Sequence, residues 1–199
     1  MNNHSIAIID YGRGNLHSVY YGLKKIGADP IITNDEKPFL KHRGSSCQAS
    51  APLGTAWTIL PRQALKMPFF ASLKRGPLFL ASAWDSSSFL KAARRHPVSK
   101  VLASLRGGCA SSARPIRFLI WGWNELTITR PSPLLKDAKG KMVYFVHSFA
   151  ADPCDRNIIT ATTDYGTELV AAVGRGNVQG QFHPEKSSAA GLAMLKAFK

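Results

Sequence analysis

The chain has 199 residues, 45% of them hydrophobic, and 26 Lys and Arg against 12 Asp and Glu, a formal net charge of +14. That length suits one domain with a real core, and no apolar run reaches the roughly 18 residues that a membrane span needs. The richest stretch, Met67 to Trp84, is interrupted by Lys74 and Arg75, and no charged segment with a cleavage site precedes Ile6, so neither membrane nor export is expected. Cys47, Cys109 and Cys154 are odd in number and show no C-x-x-C spacing. A disulfide framework or zinc site is therefore not expected, and the reducing cytoplasm is the expected compartment.

The chain opens on Ile6-Ala7-Ile8-Ile9, an apolar run without alternation, as a parallel strand covered on both faces should read. The turn Asp10-Tyr11-Gly12-Arg13-Gly14-Asn15 follows. Leu16, Val19, Tyr20, Leu23 and Ile26 then repeat at helical spacing, and Gly27 stands where the helix should end. Ile31-Ile32-Thr33 supplies the next strand, completing a β-α-β unit with an expected right-handed crossover.

From Pro38 to Gly122 the composition changes. Thirteen Lys and Arg face Asp85 alone, a net charge of +12, which leaves +2 for the rest of the chain. The block is rich in Ser and Ala and has no clear periodicity. One reading is a nucleic-acid surface using Lys91, Arg94, Arg95, Lys100 and Arg106. Charge runs without interleaved aromatics are more often a solvated face, so that reading is set aside.

Beyond Gly122 the pattern is again regular. Leu126 to Thr129, Met142 to Val146, Ile158 to Thr162, Leu169 to Val173 and Asn177 to Phe182 read as short strands. A last amphipathic helix carries Leu192, Leu195 and Phe198, with Ser187 or Ser188 as its N-cap. The fold class is α/β.

Gln181-Phe182-His183-Pro184-Glu185-Lys186-Ser187 holds the chemistry. Glu185 can orient the imidazole of His183, and the imidazole can deprotonate a nucleophile. A bare His-x-Glu is more often an ordinary loop histidine, but the whole element resembles the QFHPEKS motif of class I glutamine amidotransferases. Ile6 to Val19, Gly122 to Leu135, Tyr144 to Phe149 and Ala161 to Gly166 resemble one family among them, the glutaminase subunit of imidazole glycerol phosphate synthase. The resemblance covers about residues 5 to 36 and 122 to 199.

That resemblance implies a single amidotransferase domain over 1–199, flavodoxin-like, with three layers around a central, mainly parallel sheet. It implies hydrolysis of glutamine through a cysteine thioester, without cofactor or metal, and delivery of the ammonia to a cyclase subunit in a heterodimer of histidine biosynthesis. By position His183 is the general base and Glu185 its orienter, while His147 and Ser148 lie where the family's backbone holds the glutamine carboxylate. A plain strand end is the competing reading of His147-Ser148. Asn15, Tyr144 and Lys186 match family positions near the cyclase interface. Neither nucleic acid nor membrane is implied as a partner.

The nucleophile is missing. The family carries it in Gly-Ile-Cys-Leu-Gly, a strand-to-helix elbow, and none of the three cysteines has that context. Codon arithmetic gives a reason. Starting from the third base of each codon, Leu80 to Asp85 can read Gly-Ile-Cys-Leu-Gly, with the cysteine straddling Ser82 and Ala83. The same displacement turns Ser46 to Gly54 into Leu-Pro-Gly-Val-Gly-Ala-Phe-Gly and Arg117 to Gly122 into Ile-Pro-His-Met-Gly, both family motifs. A reading frame displaced near Lys37 and restored near Gly122 explains the basic block. A true insertion or replacement is the alternative. The chain as written is then expected to lack glutaminase activity, to fold poorly, and at most to serve as a non-catalytic cyclase-binding subunit. A smaller departure lies at Gly180-Gln181-Phe182-His183, one residue shorter than the family's Gly-x-Gln-Phe-His. It is capable of turning His183 to the wrong face.

Overall fold

The computed structural model describes residues 5–10, 15–33, 44–48, 79–82, 112–153, 155–175 and 177–198. Most of the basic block lies outside them, including Lys91, Arg94, Arg95, Lys100, Arg106 and Cys109, and so does the second helical layer expected of a three-layer fold.

Strand β1 (Ser5–Ile9) runs parallel to β2 (Asp29–Thr33) on one side and to β3 (Gly44–Gln48) on the other. Ile6, Ala7 and Ile8 are all buried, as an unalternating run should be. Between β1 and β2 lies α1 (Leu16–Lys25), whose apolar stripe buries Val19 and Leu23. Asn15 caps its start, accepting from Ser18 N at 3.3 Å. At its end the N–H of Gly27 bonds Lys24 O and that of Ala28 bonds Leu23 O. Gly27 has φ 71°, so this is a Schellman ending that needs the glycine foreseen there.

Next to β3 lies β4 (Phe79–Ser82), parallel, and next to β4 lies β10 (Asn177–Gly180), also parallel. The order β2-β1-β3-β4-β10 is the parallel centre. From β10 outward the sheet becomes antiparallel: β10 with β9 (Glu168–Arg175), β9 with β8 (Ile159–Asp164) and β7 (Met142–Asp152), and β7 with β5 (Ser112–Glu125) and β11 (Phe182–His183). A two-residue strand, β6 (Thr127–Ile128), pairs with β8. Helix α2 (Ser188–Phe198) packs on α1, with Leu195 Cδ1 3.2 Å from where a Cβ on Gly22 would stand. Ile8, Leu23, Ile120, Leu126, Phe145, Phe182 and Leu195 share one core.

Of the sequence boundaries that move, three do so for a clear physical reason. The strand expected over Met142 to Val146 continues to Asp152, because β5 pairs along it as far as Ser112↔Asp152. The strand expected from Ile158 begins at Ile159, because Asp155 accepts from Asn157 N at 3.0 Å and winds Arg156–Ile158 into a 3-10 turn. The strand expected over Asn177 to Phe182 breaks at Gln181. There the chain leaves the β9 ladder, Gln181 N making a last bond of 2.8 Å to Ala171 O, and Phe182 joins β7 opposite Phe145.

Candidate active site

The break at Gln181 aims the catalytic candidates. His183 lies opposite Tyr144 on β7 and is 3% exposed. Pro184 then starts a 3-10 turn, Pro184–Lys186, which brings Glu185 back beneath the imidazole. His183 Nδ1 and Glu185 Oε1 are 2.8 Å apart, with side chains only 4% and 1% exposed. A carboxylate has no proton to give, so Nδ1–H donates to it, and Nε2 is then the ring nitrogen with a lone pair. The short spacing before His183 does not turn it to solvent, because β11 takes its register from β7 rather than from β10.

The turn is fastened on three sides. Ser187, fully buried, donates from Oγ to His183 O at 2.5 Å and accepts from Tyr144 N at 3.0 Å. Its hydroxyl is thus committed to the turn and to β7, while its carbonyl accepts Gly191 N at 2.9 Å, so Ser187 stands at the N-cap position foreseen for it but caps through its backbone alone, and Ser188 begins α2 with φ 49°. Gly191 lies so close that a Cβ there would stand 1.8 Å from Pro184 O. A Cβ on Gly22 would stand 3.1 Å from Glu185 Cβ, so α1 also bears on the relay. Sequence reading missed Gly22 and Gly191. Gly191, four residues after Ser187 and inside an apolar helix, was the available signal.

The cation of Lys186 lies 5.7 Å over the ring of Tyr144, and that ring is 6.1 Å from His183. Trp121 Nε1 donates to the Tyr144 hydroxyl at 2.8 Å, and Trp123 meets the same ring edge-on at 6.1 Å. Leu119, Trp121, Trp123, Met142 and Val146 are all more than a third exposed. Alternation puts them with Tyr144 on one face of the β5–β7 ribbon. Tyr144 and Lys186 thus come together, whereas Asn15 is exposed at the start of α1. His147 is buried on β7 with its ring 5.8 Å from Phe145. Ser148 follows it where the β5–β7 register slips between Pro115 and Ile120.

The end of β4 completes the geometry. Ala81 pairs with Gln179, so Ser82 is level with Gly180, three residues before His183. Strand β4 therefore finishes beside the strand that leads to the His–Glu pair. Cys47 lies on β3 opposite Ala81, and Cys154, like Cys109, is outside the described residues. Among the described residues, no three His, Cys, Asp or Glu gather as a metal site, and no helix is long and apolar enough to cross a membrane.

Solved structures share the overall fold. A structure of PurLQS from Thermotoga maritima matches with TM-score 0.73 at 12% identity, over 98% of this chain and 96% of that one. A structure described as a glutamine amidotransferase matches with TM-score 0.68 at 11% identity, over 97% and 98%. A glutamine amidotransferase from Thermotoga maritima matches with TM-score 0.61 at 12% identity, over 93% and 77%. The fold is that of the class I glutamine amidotransferases.

No family model matches the chain. Curated relatives do. The imidazole glycerol phosphate synthase subunit HisH of Geobacillus kaustophilus is 33% identical over 97% of this chain and 95% of its own length. That of Methanothermobacter thermautotrophicus is 34% identical over 97% and 96%. The chain belongs to the imidazole glycerol phosphate synthase subunit HisH family.

Proposed function

We propose that this chain is one amidotransferase domain over 1–199, built as the cytoplasmic glutaminase half of a heterodimeric imidazole glycerol phosphate synthase. In this reading it is arrested for want of a nucleophile. The observation that carries the proposal is the buried His183–Glu185 contact of 2.8 Å, held beside the end of β4.

The chemistry this geometry suits is amide hydrolysis. A thiolate at the end of β4 attacks the side-chain carboxamide carbon of glutamine, having lost its proton to His183 Nε2. The resulting imidazolium, steadied by Glu185, protonates the departing nitrogen, and ammonia leaves behind a thioester. Water, deprotonated by the same imidazole, then releases glutamate and the free thiol. His147 and Ser148 are the proposed holders of the glutamine carboxylate. Without the thiolate, His183 has nothing to activate. Without backbone donors for the oxyanion, a stabilisation of about 3 kcal/mol or more is lost as well.

The exposed aromatic face around Tyr144 and Lys186 supports docking on a cyclase partner to which ammonia passes; Asn15, exposed at the start of α1, is proposed to take part as well. A chain that docks without hydrolysing glutamine is the second reading, favoured because this face is formed by the described residues. Co-expression with the cyclase and an ammonia assay test docking and hydrolysis in turn. Co-purification with no cysteine-dependent ammonia supports an arrested glutaminase. Ammonia release that survives mutation of all three cysteines removes the thioester mechanism.

A further inference from the structure

Away from the relay, the loop after β6 borders an open surface cleft of about 570 Å³ lined by Ile128, Arg130, Ser132, Leu135, Lys136 and Lys139, with Thr129, Pro131 and Pro133 between them. Among the described residues, three cations and no acid contribute to its wall. Arg130 shares one Nη with Asn157 Oδ1 at 2.7 Å, an uncharged partner, and neither lysine is in an ion pair among the described residues. Leu135, 2% exposed, anchors the loop to the core from beneath. Ser132 is 8% exposed, and its hydroxyl has no hydrogen-bond partner among the described residues. Asp137 follows Lys136 and Asp155 accepts from the N–H of Asn157 at 3.0 Å, but neither is among the residues that line the cleft.

Like charges gathered around one concave, mainly apolar space repel each other unless an anion sits among them. Arg130 offers the planar donor fork that suits a carboxylate or phosphate, and the two lysines supply point charge. The apolar wall of Ile128, Pro131 and Pro133 asks for more than a bare ion. We infer that this cleft binds a small organic anion, a carboxylate or phosphate head on a compact apolar body, at a site separate from the His183–Glu185 relay. The site uses none of the residues assigned to glutamine or to the cyclase. It gives the chain a ligand independent of glutaminase activity.

The test titrates the full chain with phenyl phosphate, benzoate, inorganic phosphate and neutral benzyl alcohol, read by calorimetry and by amide shifts of residues 130–139. The expected result is a Kd of about 1 mM or tighter for phenyl phosphate or benzoate, weakened at least tenfold in the Lys136→Ala/Lys139→Ala double variant. Both positions are exposed, and circular dichroism checks that the variant keeps the wild-type fold. Which of the two ligands binds more tightly tells a phosphate site from a carboxylate site. Binding of benzyl alcohol as tight as that of the anions, equal affinity in the double variant, or no shift with any organic anion overturns the inference. Binding by inorganic phosphate alone overturns it too, leaving an adventitious ion only.

Discussion

The hydroxyl of Ser187 bonds the carbonyl of His183, the residue four positions before it, while the same oxygen accepts the backbone N–H of Tyr144. One buried side chain thereby ties the turn that holds the His183–Glu185 pair to the strand β7 on which β11 sets its register. Replacing it by alanine removes both bonds at once. Ser187→Ala should cost about 1–3 kcal/mol, measured by urea unfolding, whereas Ser188→Ala, at an exposed position, should change stability by less than about 0.5 kcal/mol. Equal effects from the two would place the turn's anchor elsewhere.

Gly191 is a separate constraint on the same turn. A methyl there meets the Pro184 carbonyl, which is backbone and cannot swing aside. Gly191→Ala should destabilise by about 1–3 kcal/mol or more through overpacking. Gly166, with φ 71° and nothing within 4 Å of an added Cβ, makes the control. There alanine should cost only the left-handed backbone strain, about 1 kcal/mol. Thermal unfolding of the two variants decides between crowding and strain.

The parts of the fold legible in the sequence were those whose cause is local. The β1–α1–β2 unit follows from an unalternating apolar run, a helical stripe and a glycine at the end, and all three have the roles expected of them. His183 and Glu185 are two residues apart, so their meeting needs only the proline turn between them. What stayed hidden depends on distant partners. Tyr144 and Trp121 are 23 positions apart, and the full length of β7 is set by β5, whose sequence lies largely in the non-family block. Ser187 stands at the helix cap that its neighbours in sequence invite. Its hydroxyl instead answers Tyr144, 43 positions away.

The exposed aromatic face yields a docking prediction. Lys186→Ala removes the cation over the Tyr144 ring, and Tyr144→Ala removes the ring itself. Either should weaken capture by the cyclase by a factor of about ten or more, about 1.4 kcal/mol, as read by surface plasmon resonance. The exposed pair Arg156–Glu168, 3.5 Å apart and on other elements, is the control. Arg156→Ala should leave capture unchanged and stability within about 1 kcal/mol.

In a chain whose displaced segment is restored to read Gly-Ile-Cys-Leu-Gly, Glu185→Gln keeps the shape of the relay but loses the charge that steadies the imidazolium. Glutaminase kcat should fall on the order of 10²- to 10⁴-fold with KM little changed, since Glu185 does not touch glutamine in this reading. A fall in affinity with kcat preserved would instead make it a substrate-holding group.

The decisive assay is ammonia release from glutamine in the presence of the cyclase, comparing the chain as written with the restored chain. No release above buffer is expected from the first. From the second, release is expected, and it should vanish when the restored cysteine is changed to alanine. Release by the chain as written, lost on replacing Cys47, Cys109 or Cys154, contradicts an arrested glutaminase, because one of those thiols would then reach His183.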